Sequence, residues 1–374
     1  MQTYDIAIIG GGIAGLSLAY FLGERRSVVV LERESALGYH STGRSAAEFV
    51  LRYNSPEVCQ LAAISRTFFE TPPSGFSETP LLKRRGGIMI ANAEKAARLR
   101  AHFAETVRHA PLQMLTVDEA LAMVPFLDPA YVAAAYHDPD FWDIEVESLL
   151  QGYVKAARRA GIEIRTDAGV ISAFDNGSRW QIETAGASIA ARSVVNAAGG
   201  WADPTAEIFG LRPMGIVPHR RTAILVELPD GIDASEMPEI NELDETYYFK
   251  PDAGRMLVSP ADETGCEPGD VQPEEIDIAW AAHYFEEATT LSVKRVAKSW
   301  AGMRSFSADR LPVIGPAPDH SRFFWLAGQG GYGILSSPAL GALAASMLTE
   351  QAVPDGFHQN GLDPRRFSPL RFGL

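Results

Sequence analysis

The tightest constraint on the fold of this 374-residue chain lies between residues 4 and 32. Tyr4 to Ile9 is a short apolar run, Gly10, Gly12 and Gly15 follow with GxGxxG spacing, and Ala14 to Leu22 continues with helical apolar periodicity. Ser27 to Leu31 is a second apolar run, closed by Glu32, 22 positions beyond Gly10. Strand, glycine turn, helix, strand and acid in this order predict a dinucleotide-binding βαβ unit. Gly10 permits the tight turn, Gly12 lets backbone approach a pyrophosphate, and Gly15 lets the helix lie close to the strand. The first helical turn, at Ile13 and Ala14, offers unpaired N–H groups to phosphate. Glu32 accepts from the ribose hydroxyls, with Arg33 beside it. A bare GxGxxG means little in a chain with 33 glycines; its strand and acid context makes it specific.

Composition narrows the rest. The length corresponds to about 2.5 domain equivalents. The 33 Lys and Arg against 47 Asp and Glu leave a net charge of −14, which repels nucleic acid at long range. Cys59 and Cys266 are the only cysteines, and the histidines form no HxH or HExxH spacing, so neither a disulfide framework nor a metal site is expected. The acidic residue before the first apolar run and the absence of a long apolar stretch predict a cytoplasmic protein with no integral membrane segment.

Two later segments also ask for close backbone approach. Residues 192–201 read RSVVNAAGGW, a strand from Ser193 to Asn196 running into Ala198, Gly199 and Trp201. Residues 325–338 read WLAGQGGYGILSSP, where Gly330, Gly331, Tyr332, Gly333 and Ile334 lead from a strand end into a helix start and leave backbone free to face an electron-rich group. These features favour FAD, and no second strand–GxGxxG–helix unit exists for a pyridine nucleotide. With GYHSTGRSAA at 38–47, YYFKPDAG at 247–254 and WAGMRSF at 300–306, the chain resembles the glycine oxidase and D-amino acid oxidase superfamily of FAD enzymes. Within it, the resemblance is to bacterial FAD-dependent D-arginine dehydrogenase over nearly the whole length.

The resemblance implies an α/β fold: a Rossmann-like FAD-binding domain (1–80, 141–213 and 297–374) with an interleaved α+β substrate domain (81–140 and 214–296) on an antiparallel sheet. FAD would be held non-covalently. Ser41, Thr42, Arg44, Ser45 and Ala46 would run beside the flavin and the pyrophosphate, with Arg44 neutralising phosphate. Val170 and Gly302 would also touch the cofactor. The local patterns agree with strands at Gly86–Ala91 and Ala223–Leu228, a hairpin around PDAG, and helices at Glu145–Arg159 and Ile276–Ala288. Residues 230–242 are too rich in Asp, Glu, Pro and Gly for a packed element, and the tail after Pro354 is expected on the surface. Lys83–Arg85 and the acidic turn at 138–145 read as solvated.

On the substrate side, Arg304 falls on the family's substrate-carboxylate arginine; a guanidinium grips such a group with two prongs. Tyr248 resembles the tyrosine that adds a hydroxyl to that carboxylate, Tyr53 one near the substrate amine, and Arg221 a second substrate-side arginine. Glu48 stands where the family has an active-site histidine, Leu335 where it has a glutamine, and Gly87 where D-arginine dehydrogenase carries the glutamate that clamps the guanidinium. A neutral substrate, an acidic one met by Lys83–Arg85, and a basic one held by Glu48 all remain open. The implied reaction is oxidation of a small-molecule D-amino acid at Cα to a 2-oxo acid and ammonia. Electrons would pass to a quinone or another non-oxygen acceptor. Alternatives are an oxidase acting on glycine, N-methyl or cyclic amino acids with peroxide release, a 2-hydroxy acid dehydrogenase, and a non-catalytic FAD-binding subunit. The oligomeric state is left open.

Overall fold

In the computed structural model, which describes residues 1–52 and 55–373, the opening segment forms the strand Gln2–Ile9, the helix Ile13–Leu22 and the parallel strand Val28–Leu31. The helix is apolar nearly all round and is mostly buried, as that composition requires. It presses onto the strand end because Gly15 lacks a side chain: a Cβ there would stand 2.0 Å from the Gly10 carbonyl oxygen.

The first sheet runs, in hydrogen-bonding order, Val170–Asp175, Trp180–Thr184, Ser188–Asn196, Gln2–Ile9, Val28–Leu31 and Glu163–Arg165. His320–Ala327 adds to Ser188–Asn196 in parallel and pairs with Val313–Ala317. Alternation fills both faces. Ile6, Ile8 and Val30 bury with Leu18, Ala157 and Leu343 of three helices. Ala7, Ile9 and Val29 bury on the other side with Trp180 and Phe209. Each of these strands is apolar in both directions, as expected of a parallel sheet covered on two sides.

A second sheet runs Thr264–Gly265, Val217–Val226, Arg255–Ser259, Tyr248–Asp252, Glu239–Glu242, Gly87–Ala91, Ala134–Asp138 and Gln113–Leu115, with Val296–Phe306 also on Val217–Val226. Among the described residues its pairs are antiparallel except Glu239–Glu242 with Gly87–Ala91. One face is apolar: Ile88, Ile224, Tyr247, Phe249 and Val258 bury against the Glu275–Ala288 helix through Ala281 and Phe285. The period of 2 sends Tyr248 and Lys250 to the opposite face. A small sheet of Glu48–Val50, Phe141–Ile144 and Leu82–Arg84 packs between the two large ones.

Three expectations change. Residues 297–306, expected with the FAD-binding segments, hydrogen-bond in the second sheet. Residues 239–242 form a strand because Ile240 is buried in that sheet's core, a tertiary gain that outweighs the local composition. The tail is anchored, with Phe357 and Phe367 fully buried against the helix layer of the first sheet.

Candidate active site

A cavity of about 720 Å³ lies where the two sheets meet. Gly10, Gly12, Ile13, Ala14, Glu32 and Arg33 line one end. Gly12 caps the first helix without a side chain of its own, but the Ile13 N–H, expected to be free for phosphate, donates to the Thr42 hydroxyl at 3.1 Å. The Glu32 carboxylate accepts from the N–H groups of Gly11 at 2.7 Å and Glu34 at 2.9 Å, which fixes it on the cavity wall. Val170, Ala198, Gly199 and Trp201 complete this end. Arg33 lies over the Trp201 ring at 4.8 Å.

Ser41, Thr42, Arg44, Ser45 and Ala46 form the middle wall. The Arg44 guanidinium, expected on phosphate, is engaged by protein: it pairs with Asp270 and donates to the carbonyls of Val271 and Ala301, both at 3.1 Å. Its charge is thereby largely satisfied within the chain. The turn after residue 327 also differs from expectation. Gly330 N–H donates to Ser305 O at 2.9 Å and Tyr332 N–H to Gln329 O at 3.0 Å, so those two donors serve the turn itself.

The far end holds Arg221, Tyr248, Gly302 and Arg304, with Gly330, Gly331, Gly333 and Ile334. The Arg304 guanidinium lies along Gly331, where a Cβ would come within 3.0 Å of it. Among the described residues no carboxylate makes an ion pair with Arg304. Arg221 Nε is buried without a hydrogen-bond partner. The nearest carboxylate to Arg221, Glu263 at 3.6 Å, is already held by Arg310 at 2.7 and 2.9 Å. Burial, then the charge of Arg304, pulls the Arg221 guanidinium below its ordinary pKa. Tyr248 is buried on the same face; burial first, then the charge of Glu48, pushes its phenol up. Two neighbouring cations short of counter-charge, one of them buried, are costly unless an anion joins them.

Beside this end is a denser ionic group. Lys250, 6 % exposed, and Arg85, 7 % exposed, share the Asp143 carboxylate. The acidic turn and the Lys83–Arg85 segment, both read as solvated, therefore meet: Asp143 stands across the small sheet from Lys83 and Glu48. Asp138 and Asp140 of the same turn pair with Arg52. Burial works against the charged form of Asp143, yet Lys250 and Arg85 hold its carboxyl below the usual range. This stabilisation is complete above the unfolded value of about 3.9 and is lost as the pH falls through the lower folded value. Asp143→Asn strands two buried cations and is expected to cost about 3–5 kcal/mol. Urea unfolding at neutral pH measures it, and a loss below about 1 kcal/mol would contradict the ion-pair account.

Of the remaining expected site residues, Gly15 serves helix packing and lies off the cavity wall, as do Tyr332 and Glu48. Tyr53 lies outside the described residues. Arg220, the neighbour of Arg221, faces the other way into Asp277 and Glu274. Gly87 lies under Phe141, whose ring would meet a Cβ at 2.9 Å, so the space for a clamping side chain is taken. Sequence reading missed Met303, Ser305 and Gln329 on the wall. Gln329 was legible within the glycine turn; the other two follow from the strand that carries Arg304.

The chain was compared with known proteins. A model of the DAO family, described as FAD dependent oxidoreductase, matches residues 5–347. The chain belongs to the DAO family. FAD is accordingly its cofactor, and the cavity fits it: a glycine-capped helix N-terminus, an acid fixed on the wall for ribose, and glycine-rich backbone along one continuous space. Among DAO relatives, glycine oxidase of Geobacillus kaustophilus (strain HTA426) is 28% identical over 368 residues, 93% of each chain. Glycine oxidase of Bacillus subtilis (strain 168) is 24% identical, covering 97% of this chain and 98% of its own. The solved glycine oxidase from Geobacillus kaustophilus superposes with a TM-score of 0.85 at 24% identity, over 99% of both chains, which establishes the shared fold. No helix among the described residues is long and apolar enough to cross a membrane. The expected non-oxygen acceptor is overturned, because these two relatives, matched over nearly their whole length, carry the name oxidase. These comparisons also give no support to D-arginine dehydrogenase specifically, in line with the filled space at Gly87.

Proposed function

We propose that the chain is an FAD-dependent amino acid oxidase acting on glycine or a small N-methyl or cyclic amino acid: the Cα–N bond is oxidised to an imine while oxygen is reduced to hydrogen peroxide, and water hydrolyses the imine to a 2-oxo acid, with the amine released, or kept in the same molecule where the substrate is cyclic. The observation that carries this reading is the pair Arg221 and Arg304, cationic, cavity-facing and short of counter-charge. FAD supplies a two-electron acceptor for hydride from carbon. Arg304 grips the substrate carboxylate, Arg221 adds a second cation, and the Tyr248 hydroxyl donates to the same group. This fixes Cα and its nitrogen in one orientation, the step from which most of the acceleration would come. Ala46, Ala223 and Met303 line that end of the cavity with apolar surface, and Phe141 fills the position beside Gly87 that a clamping side chain would need. With Arg85 held by Asp143 and Glu48 off the cavity wall, the acidic and basic substrate readings lose the residues they rested on, and the glycine oxidase relatives favour a small substrate. Gly10, Gly12, Glu32 and the first helical turn would hold the nucleotide half, and Ser41 to Ala46 the flavin half.

Steady-state oxygen uptake with glycine, sarcosine, proline, longer amino acids and 2-hydroxy acids tests the reading. Equal amounts of oxygen consumed and peroxide formed, with the small amino acids fastest, are expected. Turnover confined to hydroxy acids, or to long cationic amino acids, would contradict it.

A further inference from the structure

Glu263 and Arg310 stand off the cavity wall, yet one contact ties them to it. Glu263 Oε2 lies 3.6 Å from the guanidinium of Arg221, which lines the substrate end. The same oxygen accepts from Arg310 at 2.9 Å, and Oε1 accepts from the other terminal nitrogen of Arg310 at 2.7 Å. Arg310 therefore holds the carboxylate with both prongs, and Arg221 is left with the longer contact. Each partner is fixed in place. The Arg310 guanidinium lies 3.8 Å over the Phe306 ring, at the end of the strand that carries Arg304. Its turn is closed by Arg310 N–H donating to Ser307 O at 3.0 Å, and it adopts φ +63°, uncommon for a residue with a side chain. On the other side, Asp262 accepts from Thr222 N–H at 2.6 Å and from the Thr222 hydroxyl at 3.0 Å, and Thr264 pairs with Arg220. Glu263 is thus anchored, before and after, to the strand that carries Arg221. A side-chain shift of roughly 1 Å would bring it to the ordinary length of a charged hydrogen bond to Arg221.

We infer that Arg310 is a positioning residue for substrate binding: by claiming Glu263 it keeps Arg221 free for the substrate carboxylate. This rests on the amino acid oxidase reading and deepens it. Arg221, 15 % exposed and beside Arg304, needs an anion. Two anions compete for it: Glu263 from the protein, and the carboxylate of the amino acid. A Glu263 closed on Arg221 would cancel that charge and repel the entering carboxylate. Arg310 prevents this from outside the cavity, because a carboxylate already gripped bidentately has less to gain from a second cation. Neither Glu263 nor Arg310 lines the cavity, so the effect falls on how much substrate is needed and not on how fast bound substrate reacts.

The test uses the FAD-loaded protein and follows anaerobic flavin bleaching against the concentration of the fastest amino acid of the panel, which gives a half-saturating concentration and a maximal rate. Arg310→Met keeps an unbranched stem over Phe306 and removes both prongs. It is expected to raise the half-saturating concentration at least ~5-fold, with the maximal rate within about twofold of the wild type. Glu263→Gln removes the competing charge and is expected to leave half-saturation at or below the wild-type value. Arg310→Met combined with Glu263→Gln is expected to stay there too, since no carboxylate remains to be released. FAD content, unchanged in all three variants, shows that the cofactor cavity is intact. A smaller rise in Arg310→Met, a rise that persists in the double variant, or a rise in Glu263→Gln alone overturns the role of Arg310 and leaves the oxidase reading standing. A wild type that no amino acid bleaches overturns the oxidase reading, and this inference with it.

Discussion

Replacing Arg304 with methionine is expected to lower kcat/KM by at least about 100-fold, the scale of a lost buried ion pair. Arg304 lies along Gly331 with no protein carboxylate engaging it among the described residues, so its charge is available to a ligand. Removing it also relieves Arg221, whose guanidinium it disfavours. The variant should therefore fold at least as well as the wild type and retain FAD. Loss of activity with retained stability is the combination a substrate-binding arginine produces; a structural arginine would give the reverse. The predicted split is a large rise in KM and a smaller fall in kcat, because alignment as well as affinity depends on the anchor. Less than a threefold loss with the true substrate would remove Arg304 from substrate binding.

Gly10→Ala is expected to abolish stable FAD retention. Gly10 has φ +112°, a conformation L side chains rarely adopt, and a Cβ there would stand 2.4 Å from the carbonyl oxygen of Ala197. That oxygen ends the Ser188–Asn196 strand, whose own position is fixed by pairing with Gln2–Ile9. Neither side can give without opening the sheet, so the substitution is expected to cost about 3 kcal/mol. The turn that presents Gly12 to the cofactor moves with it. The variant should purify colourless, with Tm lowered by several degrees. A yellow protein with wild-type Tm would show that the turn tolerates a side chain, against the geometry described here. Gly23, with φ +55° and nothing near its absent Cβ, makes a useful control, since alanine there brings strain without a collision.

Legibility in the sequence followed locality. The nucleotide unit could be read because turn, helix, strand and acid each depend on neighbours within about thirty residues, and each states its requirement in residue type. Tyr247 and Tyr248 could be assigned to opposite faces from strand period alone. What could not be read depended on distant partners. Arg44 is claimed by Asp270, 226 positions away. Asp143 became a buried counter-ion only because the fold brings Lys250 and Arg85 to it. The charged residues at 239–242 form a strand because Gly87–Ala91 offers a free edge in parallel. The electron acceptor was least legible of all, since the motifs that hold a flavin are indifferent to what reoxidises it.

The account stands on a cavity end that anchors a small amino acid against the bound flavin. Mixing the purified yellow protein with glycine, sarcosine or proline in the absence of oxygen tests this most directly. Rapid bleaching by at least one of them, lost in Arg304→Met and reversed by admitted oxygen with one peroxide formed per flavin, is the predicted result. Flavin that stays yellow with every amino acid, or that bleaches equally well in Arg304→Met, would contradict it.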